Sequence, residues 1–295
     1  MSRFSGFVVF LVILSMRGVA PAPPQNWLEH WFEHVQNLDL VFADDDVAVY
    51  FDSDVDRSIT WPNAFIGNVW RYVKRNYGNF GTENNLYAIF HTAKYSGGHP
   101  STYFDASHDF RNVIDVGSSS PTAWLSGQGN DLDIVTHEIA HVVEGASRDV
   151  HGSPAFPIWG DSKWAEIFNY DVYFKLGMRQ DAERWYNLMI QGSDDFPSTG
   201  TFWFRDWFYP IYSGHGETFV LTRFFTLLAT YYPQSGGSYS RDMNIGEFVH
   251  FWSGAATMDL KPLATTAFKG WRTEWEQQLV QARQNFPQIP YTPTN

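Results

Sequence analysis

Apolar and polar positions alternate in steps of two in three early stretches, DVAVYFDSDV (46–55), NNLYAIFHTAKY (84–95) and FRNVIDVGS (110–118), which predicts three β-strands. Between the first two, PNAFIGNVWRYVKRNYG (62–78) has helical spacing and ends at a glycine. A Ser/Pro/Gly-rich loop then leads into NDLDIVTHEIAHVVEG (130–145), where Leu132, Val135, Ile139, Val142 and Val143 form one apolar face. Asn130 or Asp131 can cap its start and Gly145 can end it. From there the apolar period stays helical, over 161–177, 181–192, 216–233, 245–255 and 263–286. The pattern predicts an α+β fold: a small mixed α/β lobe (21–147) ending in the 130–145 helix, and a mainly helical lobe (148–295). A cleft between two such lobes is a common place for an active site. No repeat or low-complexity linker divides the chain further.

Composition sharpens this picture. Of 295 residues, 44% are hydrophobic and 18% charged, which speaks against disorder, while 18% are aromatic and supply most of the core. The net charge of -12 excludes a basic face for nucleic acid and disfavours anionic membranes. There is no cysteine, hence no disulfide framework or thiolate chemistry, but ten histidines offer metal ligands. Residues 1–20, with Arg3, an apolar run from Phe7 to Leu14 and small Gly18 and Ala20, have the layout of a secretory signal. That run is too short for a membrane span, which needs about 20 apolar residues. The sequence thus predicts a secreted protein with no stable membrane insertion after signal cleavage. Asp52 to Asp56 (DSDVD) reads as a solvated turn rather than a calcium loop.

The candidate chemistry lies in HEIAH, residues 137–141. Four residues apart on a helix, His137 and His141 share a face and can hold one cation, with Glu138 turned by about 100° towards a water on it. With this composition a chance match has a probability of about 1%. A catalytic zinc wants three protein ligands and an open position. The metzincin spacing fails, because Glu144 and Ser147 stand where a glycine and a histidine would be. His151 is one candidate for the third ligand, and Glu166, on the next predicted helix, is the better one.

A histidine pair on one helix and a glutamate on the next resemble the gluzincin, or thermolysin-like, zinc metallopeptidases. The resemblance covers residues 110–176, and its layout further on is similar to that of basic secretory protein peptidases. Asn169 adds a likeness to enhancin and mucin-degrading peptidases. The resemblance implies one zinc per chain on His137, His141 and Glu166, with Glu138 as general base and acid. It implies a protein or peptide substrate, including glycoproteins, held by an edge strand formed by NVIDVG (112–117). The clan's carboxylate one turn after the third ligand is replaced here by Tyr170, leaving Asn169 and Asp171 as candidates to orient a histidine. For the oxyanion, the segment YPIYSGHGE offers Tyr212 or His215. The rival expectation is a secreted aromatic-rich module that binds glycans or a cell surface, with a structural or inactive metal site.

Overall fold

The computed structural model describes residues 22–32, 34–82 and 85–292, so the expected leader lies outside the described residues. The N-terminal part is a six-stranded mixed sheet: β1 (Asn26–Leu28), β2 (Asn37–Ala43), β3 (Val47–Phe51), β4 (Leu86–Thr92), β5 (Gly97–Ser101) and β6 (Asn112–Ser118), in the spatial order β1-β2-β3-β4-β6-β5. Helix α1 (Trp61–Tyr77) makes the crossover between the parallel strands β3 and β4, and β6 pairs parallel to β4. The outermost strand, β5, runs antiparallel to β6.

Two-residue alternation assigns each face of the sheet. Val47, Val49, Phe51, Leu86, Ala88, Phe90, Ile114 and Val116 join the main core with α1 and with α2 (Asn130–Ala146). Ala48, Tyr50, Tyr87, Ile89 and Val113 point the other way and are covered by Trp27, Trp31 and Leu38 of the N-terminal segment. His91 and Asp115 continue this second face towards the C-terminal ends of β4 and β6, and both are fully buried.

The rest of the described chain is mostly helical: α3 (Phe156–Trp159), α4 (Lys163–Lys175), α5 (Arg179–Met189), α6 (Tyr209–Gly214), α7 (Thr218–Tyr231), α8 (Ile245–Ala256), α9 (Lys261–Ala267) and α10 (Thr273–Asn285), with a small hairpin of β7 (Gln234–Ser235) and β8 (Ser238–Tyr239). Trp159, Trp164, Phe224, Phe248 and Trp252 interlock at ring-centroid distances such as 4.2 Å for Phe224 and Trp252, so the aromatic composition is largely core. Among the described residues no helix is long and apolar enough to cross a membrane.

The mixed sheet and the helical second half agree with the sequence pattern. Two details differ, and a third element had not been expected. The stretch 112–117 is an interior strand, and the edge before the motif helix is β5, whose sequence GGHPS lacks alternation. The terminal helix expected over 263–286 is broken at Lys269 and Gly270, both in the left-handed region with φ of 60° and 135°. A π-helical turn, Trp203–Phe208, precedes α6, where Pro210 removes a backbone donor.

Candidate active site

Helix α2 presents the histidines. It starts at Asn130 behind Gly129, while Asp131 accepts the N–H of Gly127 (3.0 Å) and the hydroxyl of Ser126 (2.6 Å), bracing the preceding loop. Four residues apart, the His137 and His141 Nε2 atoms converge to 3.1 Å. Gly145 does not end the helix but lies inside it, with Thr102 against its open side.

The carboxylate that meets the pair is Asp161, in the turn before α4. Its oxygens lie 3.8 Å from His137 Nε2 and 3.4 Å from His141 Nε2, and the three residues form a group able to hold a metal ion. Asp161 is 79% exposed at its side chain, so one side of this group faces solvent. It adjoins a cleft of about 630 Å³ lined by Pro100, His141, Gly145, Phe156, Pro157 and Asp242. Two nitrogens and one carboxylate oxygen with an open side suit a catalytic zinc.

Glu166 does not join this group. In the first turns of α4, Trp164 and Ala165 are packed into the core, with the Trp164 indole donating to Ala140 O (3.2 Å). Glu166 is turned off that face, has Lys163 and Asp194 as charged neighbours, and is pushed up to about 7 by burial. His151 is also elsewhere, stacked on Phe104 and bridged to Ser238.

Glu144, one turn beyond His141, is the carboxylate that orients a histidine, its Oε2 lying 3.0 Å from His141 Nδ1. Ser153 (2.5 Å) and the Trp159 indole donate to its other oxygen and fix it. Asn169 and Asp171 do not take this part. Asn169 donates to Asp133 O (3.1 Å), and Asp171 is a buried acceptor for Tyr72 (2.5 Å), Tyr212 (2.9 Å) and Thr218 (2.7 Å). That bond commits the Tyr212 hydroxyl to the core, removing it as the expected oxyanion donor. His215 caps α6 through its N–H to Ile211 O and is not drawn into the histidine group.

Glu138 is buried beneath the edge strand. A Cβ built on Gly98 of β5 would stand 2.4 Å from its Oε1, so the strand's lack of a side chain there is what lets the carboxylate in. Burial pushes the Glu138 carboxyl up to about 7, against the pull of His137 and His141. The same two imidazoles hold Asp161 well below the usual carboxylate range. Although burial opposes it, Asp161 and Glu144 raise His141 to about 10. Carboxylates thus meet the histidine pair from two sides, Asp161 at the Nε2 atoms and Glu144 at His141 Nδ1.

A second group unites residues the sequence reading passed over: Glu29, His34, His91 and Asp115, all buried on the sheet face opposite α2. Asp52, expected in a solvated turn, is fully buried beside it, 2.6 Å from His91 Nδ1. The available signal was a histidine and an aspartate on otherwise apolar strand faces. No protein-family model matches this chain, and no curated protein matches it.

Proposed function

We propose that this protein is a zinc-dependent endopeptidase, with His137, His141 and Asp161 as the metal-holding residues and Glu138 as general base and acid. The observation that carries the reading is the placement of Glu138, buried between the histidine pair and the outermost strand β5. Zinc on the three residues would supply a Lewis acid and an acidified water. The chain's own groups do the rest. The free edge of β5 offers backbone partners to an extended peptide, which strand addition would align beside the cleft. Glu138 takes a proton from the attacking water and passes it to the leaving amine, a task that suits a carboxyl raised towards neutral pH. Glu144 holds His141 in one orientation. In this reading the leader pattern addresses the chain for secretion, a part of the proposal that rests on sequence alone.

The test is chelator-sensitive hydrolysis of casein and of a peptide library, followed in the wild-type chain and in His137→Ala/His141→Ala. Turnover lost in the variant and restored to the stripped wild type by zinc supports the peptidase. Metal binding without turnover favours the binding module, and turnover of non-peptide amides alone would change the bond. Asp161→Ala against Glu166→Ala decides the third ligand: zinc affinity should collapse in the former and persist in the latter.

A further inference from the structure

We propose that Glu29, His34, His91 and Asp115 form a second, closed metal site, structural in role and zinc-selective in its donor set. Their atoms face one another across short gaps. His91 Nε2 lies 2.9 Å from Glu29 Oε1 and 3.3 Å from Asp115 Oδ1, and His34 Nδ1 lies 3.5 Å from Asp115 Oδ2 and 4.0 Å from Glu29 Oε1. Ligands about 2.0–2.1 Å from a tetrahedral zinc stand about 3.3 Å apart, close to the 2.9 Å between His91 and Glu29 and the 3.5 Å between His34 and Asp115 Oδ2.

The hydrogen bonding around the four residues points to the same centre. Glu29 Oε2 accepts the N–H of Gln36 (2.7 Å), Tyr95 donates to Asp115 Oδ1, and His91 Nδ1 is held by Asp52 (2.6 Å). The opposite atoms, Glu29 Oε1, Asp115 Oδ2 and His91 Nε2, together with His34 Nδ1, are buried and make no well-aligned hydrogen bond, meeting only as close imidazole–carboxylate contacts with one another and with His99. Buried polar atoms without aligned hydrogen bonds are costly, and a cation among these four would satisfy them together. A carboxylate behind a ligating imidazole is also the usual outer support of a metal histidine.

Charge balance agrees. Glu29, Asp52 and Asp115 are at most 1% exposed, and Lys94 answers one of the three through Asp52 at 2.9 Å. With both imidazoles neutral, as metal ligands must be, two buried negative charges remain, which one divalent ion cancels. Two imidazoles among the four ligands favour zinc over calcium or magnesium. With four protein ligands and no exposed side the site has no position for substrate, unlike the open group at Asp161. It ties the N-terminal segment to β4 and β6 in a chain that has no cysteine for a disulfide.

The inference does not rest on the peptidase reading, because it is tested where that site has been removed. The full chain is stripped, reloaded with zinc and analysed for bound metal, and its thermal melt is recorded with and without zinc. Two zincs per wild-type chain, one in His137→Ala/His141→Ala, and a melting temperature of that variant that rises on zinc binding are expected. Cobalt in the same variant should give the intense visible bands of a four-coordinate site, and adding His91→Gln/Asp115→Asn should abolish them. One zinc in the wild type with none in the pair variant, or cobalt with only the weak spectrum of the hydrated ion, overturns the proposal. Because these readings come from the pair variant, they stand even if the added substitutions prevent folding.

Discussion

Glu138 and Glu144 lie within two turns of one helix, yet their surroundings set them different tasks. Glu138 faces the β5 edge and has no part in holding His137 or His141, so Glu138→Gln should retain zinc while hydrolysis falls by about 10²–10⁴-fold, measured as kcat beside bound metal. Glu144 acts through His141. Glu144→Ala should weaken zinc binding at the pair by about 10–100-fold, read by chelator competition. A third buried group contributes to acid stability. His250 is 2% exposed, bonded to the Tyr291 hydroxyl and Phe286 O, and burial pulls it down to about 4. The unfolded chain takes up that proton near pH 6.5, before the folded one does, so stability is complete above about 6.5 and falls as pH drops towards 4. The loss approaches about 3 kcal/mol, and urea midpoints at pH 7.5 and 4.5 should show a smaller acid penalty in His250→Gln.

At the scale of elements, two glycines let backbones approach. Gly98 gives Glu138 its place beneath β5, so Gly98→Ala should lower hydrolysis while zinc stoichiometry at the pair holds. Gly246 in α8 lies against α10, where a Cβ would stand 2.2 Å from Leu279 N. Neither backbone can yield alone, and Gly246→Ala should destabilise the fold by about 1–3 kcal/mol or more, seen as a lower urea midpoint with the metal sites intact. Most of the motif helix's buried polar residues have partners built in. Asp133 meets Arg184 at 2.7 Å and the Tyr173 hydroxyl at 2.7 Å, and Glu144 accepts from Ser153 and Trp159, so two of its three buried acidic residues are paired and Glu138 is the exception.

For the whole molecule, the two histidine–carboxylate groups able to hold a metal lie on opposite faces of the β5-β6 edge. Gly98 contacts Glu138 on one side, and the next residue, His99, pairs with Asp115 of the closed group. A metal on Glu29, His34, His91 and Asp115 would therefore fix β5, the strand proposed to receive substrate. If so, stripping both zincs should unfold the N-terminal part, seen as a loss of amide-exchange protection in β4 and β6 that removing the histidine pair alone does not cause.

Periodicity by itself determined the strands at 47–51, 86–92 and 112–118 and the helix of HEIAH, because burial of one face imposes steps of 2 or 3.6 on residues adjacent in sequence. The spacing that brings His137 to His141 is equally local. Tertiary structure decided what distance in sequence conceals. Strand order made β5 the edge in place of 112–117, a matter of pairing rather than of alternation, and the glycines and proline of GGHPS carry no period at all. The rotation of α4 against α2 turned Glu166 away and left Asp161 at the histidines, a choice between two acidic residues that spacing cannot make. The buried quartet spans residues 29 to 115. Only the folding of the N-terminal segment over the sheet brings its four residues to one point.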